Sequence, residues 1–174
     1  MREELLRTAM LLGEDAVEKL KAARVAVFGI GGVGGYTLEA LARAGIGALD
    51  LIDSDTVSRS NINRQILATQ STVGMSKVEA GKRRVLDINP ECRVVTWEVF
   101  YTPETADSFD FTRYDYIVDA IDTVTGKLML IQRAHECGTP IISCMGTGNK
   151  LDASAFEVSD ISKTTMCPLA RKCR

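Results

Sequence analysis

The strongest indication of the fold is the segment Arg24-Val-Ala-Val-Phe-Gly-Ile-Gly-Gly-Val-Gly34. Its first part is a short β-branched and apolar run, which predicts a buried strand over 24–30. Its second part contains Gly29, Gly31, Gly32 and Gly34, and glycines let a backbone turn tightly and approach a phosphate without an intervening Cβ. A helix predicted over 32–44 would direct free N–H groups and its positive dipole end at that anion. Strand, glycines and helix in this order predict a nucleotide-binding turn.

Strands and helices alternate on both sides of this turn. A helical pattern over 2–22, interrupted at Gly13, precedes it. Further helices are predicted over 76–88 and 123–137, and further strands over 48–52, 93–99, 116–120, 140–144 and 156–158. The alternation predicts an α/β, Rossmann-like fold: a mostly parallel sheet with helices on both faces and an N-terminal helical segment. A ligand would then bind at the carboxyl ends of the strands, where the strand order reverses.

Length and composition narrow the class of protein. A chain of 174 residues favours one domain over 1–174, and a net charge of −2 provides no general attraction to nucleic acid or membrane. The charged start Arg2-Glu-Glu4 is unlike a signal peptide, and no apolar run reaches the ~20 residues of a membrane span. We therefore expect a cytoplasmic protein.

The five cysteines form no C-x-x-C pair, so neither a disulfide framework nor a four-cysteine zinc site is expected. Cys144 lies at a predicted strand end, and we interpret it as a small core residue. The last residues, 166–174, resemble the opening of a helix with Pro168 in its first turn. Nothing closes that helix, so we expect a natural C-terminal portion beyond it.

Two acidic residues follow the second predicted strand. Asp53 comes about 20 residues after the glycines, where a carboxylate can accept hydrogen bonds from ribose hydroxyls. This position suits NAD and ATP equally. Asp55 either shares the site or is a turn residue.

Cationic residues that follow Asp53 in the sequence distinguish an ATP site from an NAD site. Arg64 and Gln65 close the segment Ser60-Asn61-Ile-Asn63-Arg64-Gln65, and Lys77 comes twelve residues later. A dehydrogenase needs no cations here beyond an arginine for a 2′-phosphate, whereas a site that binds a triphosphate needs several. Charge builds on pyrophosphate as it leaves the α-phosphorus, and fixed cations stabilise that charge. The alternative is that Arg64 and Lys77 are solvated surface charges.

A further pair of acids ends another predicted parallel strand, in Asp119-Ala-Ile-Asp122-Thr123. Asp122 is placed to hold a magnesium ion, which prefers oxygen ligands and bridges phosphates. Its alternative role is to cap the helix that begins near Thr123, and the two roles are compatible. Asp119 is interpreted as structural.

These motifs resemble the ThiF/MoeB/HesA superfamily, bacterial relatives of ubiquitin-activating enzymes. The blocks are G-x-G-G-V-G, D-x-D-x-V-x-x-S-N-x-N-R-Q, V-G-x-x-K and D-A-I-D. Four segments are similar to its TcdA branch, the tRNA threonylcarbamoyladenosine dehydratases: Arg7-Thr-Ala-Met-Leu-Leu-Gly13, Leu41-Ala-Arg-Ala-Gly-Ile-Gly47, Asp87-Ile-Asn-Pro-Glu-Cys92 and Val158-Ser-Asp-Ile-Ser-Lys-Thr164.

The resemblance implies a homodimeric adenylating domain that binds ATP and Mg²⁺. It implies catalytic roles for Arg64, Lys77, Asp122 as metal ligand, and Arg7, which the family can supply from the partner subunit. It implies nucleotide binding by Gly31, Asp53 and Asn61. The residue pattern itself adds the candidate nucleotide-binding residues Gly29, Gly32, Gly34, Asp55 and Gln65. The TcdA branch adenylates the threonyl carboxylate of modified adenosine 37 in tRNA. A neighbouring amide then closes an oxazolone-type ring and releases AMP, with net loss of water.

Three alternatives share part of this pattern. One is adenylation of the C-terminus of a ubiquitin-like sulfur carrier, with a sulfur-relay protein as partner. The ThiF and MoeB proteins carry two C-x-x-C zinc pairs that this chain lacks, which counts against it. Another is an NAD-dependent oxidoreductase, supported by the glycines and Asp53 alone. The last is a non-catalytic nucleotide sensor or scaffold.

Overall fold

A five-stranded parallel sheet lies at the centre of the computed structural model, which describes residues 2–174. The strands are β1 (Arg24–Phe28), β2 (Ala48–Ile52), β3 (Arg93–Trp97), β4 (Tyr116–Asp119) and β5 (Ile141–Ser143). Their order is β3-β2-β1-β4-β5, and all four pairings are parallel. The chain builds outward from β1 to β3 and then crosses to β4. The order therefore reverses between β1 and β4, and the predicted Rossmann-like α/β fold is confirmed.

Helices connect and cover the strands. They are α1 (Leu6–Leu12), α2 (Glu14–Ala22), α3 (Gly34–Ala44), α4 (Lys77–Ile88), α5 (Val124–Cys137) and α6 (Pro168–Cys173). Gly13 separates α1 from α2 with a φ of 88°, as the interrupted pattern predicts. Pro168 stands in the first turn of α6, which confirms the helix predicted there. Within the described chain, every helix is too short or too polar to cross a membrane.

Alternating residues of β1 contribute to two cores, one on each face of the sheet. Val25 and Val27 pack in a cluster that includes Leu38 of α3. Ala26 and Phe28 pack in the opposite cluster, which includes Leu130 of α5. This division follows from the two-residue period of a strand. Each large apolar side chain buried in this way contributes about 1.5–3 kcal/mol.

The predicted strand over 156–158 is wrong. Residues 156–158 are irregular, and Phe156 and Val158 are exposed. A strand needs a neighbour for its backbone hydrogen bonds, and β5 pairs with β4 alone in the described residues. The other predicted strands and helices are confirmed, with ends that differ by at most two residues, except that the N-terminal helical segment opens with a 3-10 turn over Glu3–Leu5 before α1.

Candidate nucleotide-binding site

The turn after β1 and the turn after β4 touch each other at the point where the strand order reverses. Gly29 has a φ of 89°, and a Cβ added to it would lie 2.7 Å from the carbonyl oxygen of Ala120. A Cβ on Gly34 would lie 1.8 Å from the carbonyl oxygen of Gly29. A side chain at Gly29 would therefore force the two turns apart, and one at Gly34 would clash within the glycine turn itself. The glycines thus allow the two turns to meet at the carboxyl ends of β1 and β4, the edge at which ligands of such sheets bind.

The segment that carries the predicted phosphate contacts packs beside the glycines. A Cβ on Gly31 would lie 3.7 Å from Gln65 Nε2, and one on Gly32 would lie 3.7 Å from the carbonyl oxygen of Arg64. Gln65 is buried, with 9% of its surface exposed. The structure therefore brings residues 64–65 to the glycine turn.

Asp53 ties the end of β2 to the same turn. Its Oδ2 accepts a hydrogen bond of 2.7 Å from the backbone N–H of Ile30. Its Oδ1 accepts one of 2.8 Å from the backbone N–H of Asp55. The carboxylate is thus held at the carboxyl edge of the sheet, with β1 between it and the β4 turn, in the position expected for a group that binds ribose.

Lys77 reaches this edge because the chain folds back on itself before α4. The backbone N–H of Val57 donates to the carbonyl oxygen of Met75, and Thr56 and Ser76 form an isolated antiparallel bridge. Ser76 then caps α4, since its side chain accepts a hydrogen bond from the N–H of Glu79. The ammonium group of the next residue, Lys77, is consequently buried beside the acids that follow β2.

The distances at Lys77 define a compact cluster of one ammonium group and two carboxylates. Nζ of Lys77 lies 2.6 Å from Asp55 Oδ2 and 3.8 Å from Asp53 Oδ2. The Lys77 side chain is 9% exposed, whereas that of Asp55 is 64% exposed. Lys77 therefore does not point into bulk solvent, and the alternative that it is a solvated surface charge is wrong.

Asn61 and Arg64 lie at the open side of the same segment. The side-chain oxygen of Asn61 accepts a hydrogen bond of 3.0 Å from the N–H of Ser58, which leaves the two amide hydrogens of Asn61 for a ligand. Nη1 of Arg64 donates 2.8 Å to the carbonyl oxygen of Ser60 and 3.0 Å to Oδ1 of Asn63. The Arg64 backbone therefore lies against the glycine turn, while its guanidinium group is exposed.

Asp122 is exposed in the turn between β4 and α5. Thr123 occupies the N-cap position of α5, so Asp122 precedes the cap. In residues 2–174, no three His, Cys, Asp or Glu side chains are grouped as a metal site. Asp122 can therefore offer a magnesium ion one carboxylate. Mg²⁺ commonly binds through one or two carboxylates, with substrate phosphates and water completing its shell.

Beneath this turn lies a buried charged network that the sequence motifs did not indicate. Lys127 Nζ is 2.9 Å from Asp119 Oδ2, and both side chains are fully buried. Ser143 donates its hydroxyl hydrogen to the same carboxylate oxygen. Asp119 has the structural setting expected of it. Lys127 shared a helical face with Leu130 and Ala134, at spacings typical of a buried stripe, and this was the available signal.

Arg7 and Cys144 were also singled out in the sequence, and in the described part of the chain neither contacts the glycine turn or the acidic residues after β2. Arg7 is exposed on α1. Arg2, at the start of the same N-terminal segment, donates a hydrogen bond to Oδ1 of Asn89, just before β3, so this segment lies near the amino ends of the strands. The described chain therefore does not bring Arg7 to the site. Cys144 is half-buried after β5, and burial raises the pKa of its thiol.

Comparison with known proteins agrees with this geometry. Residues 5–172 match the ThiF family, and the chain therefore belongs to that family. The chain is 44% identical over all of its length to the tRNA threonylcarbamoyladenosine dehydratase of Bacillus subtilis (strain 168), of which it covers 68%. It is 42% identical to the dehydratase of the same name from Escherichia coli (strain K12), covering 99% of this chain and 65% of that protein.

A solved structure extends the likeness to three dimensions. The crystal structure of E. coli tRNA N6-threonylcarbamoyladenosine dehydratase, TcdA, in complex with ATP matches with a TM-score of 0.97. The match covers 99% of this chain and 71% of that one at 42% identity. Within the ThiF family, the chain thus groups with the tRNA threonylcarbamoyladenosine dehydratases. It spans about two thirds of the length of the curated relatives.

Proposed function

We propose that this chain is the ATP-binding, adenylating domain of a tRNA threonylcarbamoyladenosine dehydratase. The observation that carries the proposal is the meeting of three chain segments at one edge of the sheet: the glycine turn after β1, the Asp53–Lys77 cluster after β2 and the Asp122 turn after β4. The 44% identity with a dehydratase over the whole chain supports the choice of reaction.

Each segment has a separate part in binding ATP. The bare backbone between Gly29 and Gly34 and the N-terminus of α3 receive the phosphates, because free N–H groups at a helix start attract anions. Asp53 accepts hydrogen bonds from the ribose hydroxyls. Gln65, packed against Gly31, lies between the phosphate turn and the cationic residues. The nucleotide then spans the crevice between β1 and β4.

The cations act in the transfer of AMP. A carboxylate oxygen of the modified nucleoside attacks the α-phosphorus, and the bond to pyrophosphate breaks. Negative charge grows on the departing pyrophosphate, and Lys77 and Arg64 stabilise it together with the amide of Asn61. Arg7 of a second copy would add a further cation in the homodimer that we propose. A neighbouring amide of the nucleoside then displaces AMP and closes a ring, so that the nucleoside loses one water.

A magnesium ion fits the donor set at Asp122. One exposed protein carboxylate at the phosphate edge is what a nucleotide-borne Mg²⁺ requires, since phosphate oxygens and water complete its coordination. When bound, the ion would neutralise charge on the phosphates. Asp122 would orient it, and the turn that carries Asp122 would set its distance from the glycines.

A sulfur carrier is the second candidate acceptor, because the same site would adenylate the C-terminal carboxylate of a small ubiquitin-like protein. The two acceptors are separated by one experiment. The protein is incubated with ATP, Mg²⁺ and either threonylcarbamoylated tRNA or a sulfur-carrier protein. We expect AMP release and a nucleoside mass lower by one water with the tRNA alone. The carrier would be favoured instead if it stimulated AMP release or pyrophosphate exchange while the mass of the tRNA nucleoside stayed unchanged.

Substitutions connect the outcome to the site. Arg64→Ala and Asp122→Ala are each expected to slow AMP release by about 100-fold or more, the loss typical of one transition-state contact. Arg83→Ala and Asp107→Ala are the matched controls, because both residues are exposed and lie outside the cluster. Full turnover in both site variants would reject the roles assigned to Arg64 and Asp122.

A further inference from the structure

The ion pair between Asp119 and Lys127 is fully buried on both sides, with 2.9 Å between Nζ and Oδ2. Taking two charges out of water carries a large desolvation cost, and a buried pair can often be replaced by apolar residues without loss of stability. Stability alone is therefore a weak reason for this pair. Its location at the carboxyl end of β4 indicates a different role.

The remaining contacts of Asp119 show what the carboxylate holds in place. Its Oδ1 accepts a hydrogen bond of 3.2 Å from the backbone N–H of Ile121, the first step of the turn beyond Ala120. Its Oδ2 accepts from both Lys127 and Ser143. Its carbonyl oxygen accepts 2.8 Å from the N–H of Cys144. Asp119 thus links the turn after β4 to α5 and to the end of β5.

That turn borders the phosphate-binding glycines. The carbonyl oxygen of Ala120 packs so close to Gly29 that no side chain fits at position 29. A Cβ added to Gly34 would lie 3.4 Å from the side chain of Ala120. Asp122, the candidate magnesium ligand, follows Ile121 directly. A shift of the Ile121 peptide would therefore move Asp122 and the wall of the glycine turn together.

We propose that Asp119 is a positioning residue for the nucleotide site. Lys127 compensates the buried charge of Asp119, and the Asp119 carboxylate holds the Ile121 N–H so that the 120–123 turn keeps its place beside the glycines. The inference rests on the proposed function, since it assumes that ATP binds at this edge.

The chain provides a matched comparator in the ion pair of Arg24 and Asp50. Asp50 is also fully buried, and Arg24 Nη2 lies 2.8 Å from its Oδ1. Arg24 begins β1 at the end of the sheet away from the glycines. Loss of this pair should lower stability without disturbing the 120–123 turn.

Three double variants separate position from stability. Asp119→Leu with Lys127→Met removes both charges and the acceptor of the Ile121 N–H. Asp119→Asn with Lys127→Met removes both charges but keeps a carbonyl acceptor at the same place. Arg24→Met with Asp50→Asn is the comparator. ATP affinity is measured by calorimetry with and without Mg²⁺, below the melting temperature of each variant.

The acceptor is expected to decide the result. The double variant with Asp119→Leu should bind ATP about tenfold more weakly, the loss of one hydrogen bond at the site, and the double variant with Asp119→Asn should recover most of that affinity. The comparator should bind ATP as the parent does, whatever its stability. Equal ATP affinity in the Asp119→Leu double variant and the parent, or an equal loss in that variant and the comparator, would overturn the proposal.

A measurement on the unsubstituted protein keeps the inference testable if the Asp119→Leu double variant does not fold. Amide hydrogen exchange by NMR, without nucleotide, should show the Ile121 N–H protected to a degree comparable with the amides of β4. Rapid exchange at Ile121 would overturn the proposal. This readout needs no ATP, so it separates failure of the positioning role from failure of the proposed function, which would show as a parent protein that does not bind ATP.

Discussion

Nζ of Lys77 lies 2.6 Å from Oδ2 of Asp55, a carboxylate that is itself largely exposed. A buried ammonium group thus has a solvent-facing partner at the edge where we place the phosphates. A triphosphate arriving at this edge offers Lys77 a more highly charged set of acceptors. Asp55 can turn outward without losing hydration, so the exchange of partners leaves no buried charge unpaired. The arrangement favours a lysine that is held in place before the nucleotide binds.

Lys77→Ala is the first test of this relationship. We expect AMP formation to slow by about 100- to 1,000-fold, because one cation that stabilises the departing pyrophosphate is lost. The rate of AMP release and the affinity for ATP are both measured. Lys82→Ala, in the same helix but outside the cluster, should retain the parent values. An unaltered rate in Lys77→Ala would remove Lys77 from the mechanism.

Gly29→Ala should disrupt the glycine turn for two separable reasons. The φ of 89° disfavours any side chain and costs about 1–3 kcal/mol, and the added Cβ would lie 2.7 Å from the Ala120 carbonyl oxygen. Gly74→Ala isolates the first effect, because Gly74 has a φ of 88° and nothing within 4 Å of the added Cβ. Urea denaturation and ATP binding are compared for the two variants.

Only Gly29→Ala is expected to lose ATP binding, while both variants lose some free energy of unfolding. If the two variants behaved alike in both measurements, the contact between the glycine turn and the β4 turn would not contribute to ATP binding.

The sequence predicted the parts of this site that depend on local order. Gly29, Gly34 and Asp53 lie together, as expected, because strand, glycines, helix and strand follow one another along the chain, and parallel strands bring their carboxyl ends to one edge. The approach of Lys77 to Asp53 depends on backbone pairing of residues 56 and 76, for which no local pattern exists.

Tertiary contacts account for what the sequence did not predict. The alternation in Phe156-Glu-Val158 is too short to outweigh the lack of a neighbouring strand, so the predicted strand does not form. Lys127 was missed because lysine side chains are ordinarily solvent-exposed. Its partner Asp119 also lies on a different element, so no local pattern links the two residues.

Acid should weaken the link between α3 and α4. Glu39 accepts two hydrogen bonds of 2.8 Å from Arg84, and this contact, with a further one from Arg43, holds the pKa of Glu39 below its usual 4.5. Because the pKa is lower in the folded state, the carboxylate stabilises the fold above about pH 4.5. That contribution disappears as the pH falls through the folded-state pKa.

Glu39→Gln should therefore lower the free energy of unfolding at pH 7, and the difference from the parent should shrink toward pH 3. Urea denaturation across this range provides the measurement. Glu79→Gln is the control, since Glu79 pairs with Arg83 on the exposed face of α4, where such a pair contributes roughly 0–1 kcal/mol. A pH-independent difference for Glu39→Gln would contradict the assignment.

Asp50 should be important for stability and unimportant for ATP. Its buried carboxylate accepts hydrogen bonds from Arg24, from Trp97 Nε1 at 3.0 Å and from the Tyr114 hydroxyl at 3.1 Å. Asp50→Ala leaves all three donors without an acceptor, and loss of one member of a buried ion pair typically costs about 3–5 kcal/mol. Asp107→Ala is the control, because Asp107 pairs with Arg133 but is 92% exposed, so its loss should cost under about 1 kcal/mol. Trp97, the one tryptophan in the chain, reports unfolding by fluorescence. A folded Asp50→Ala protein with reduced ATP affinity would show that the β2 interior and the nucleotide edge are coupled, contrary to the separation of their contacts.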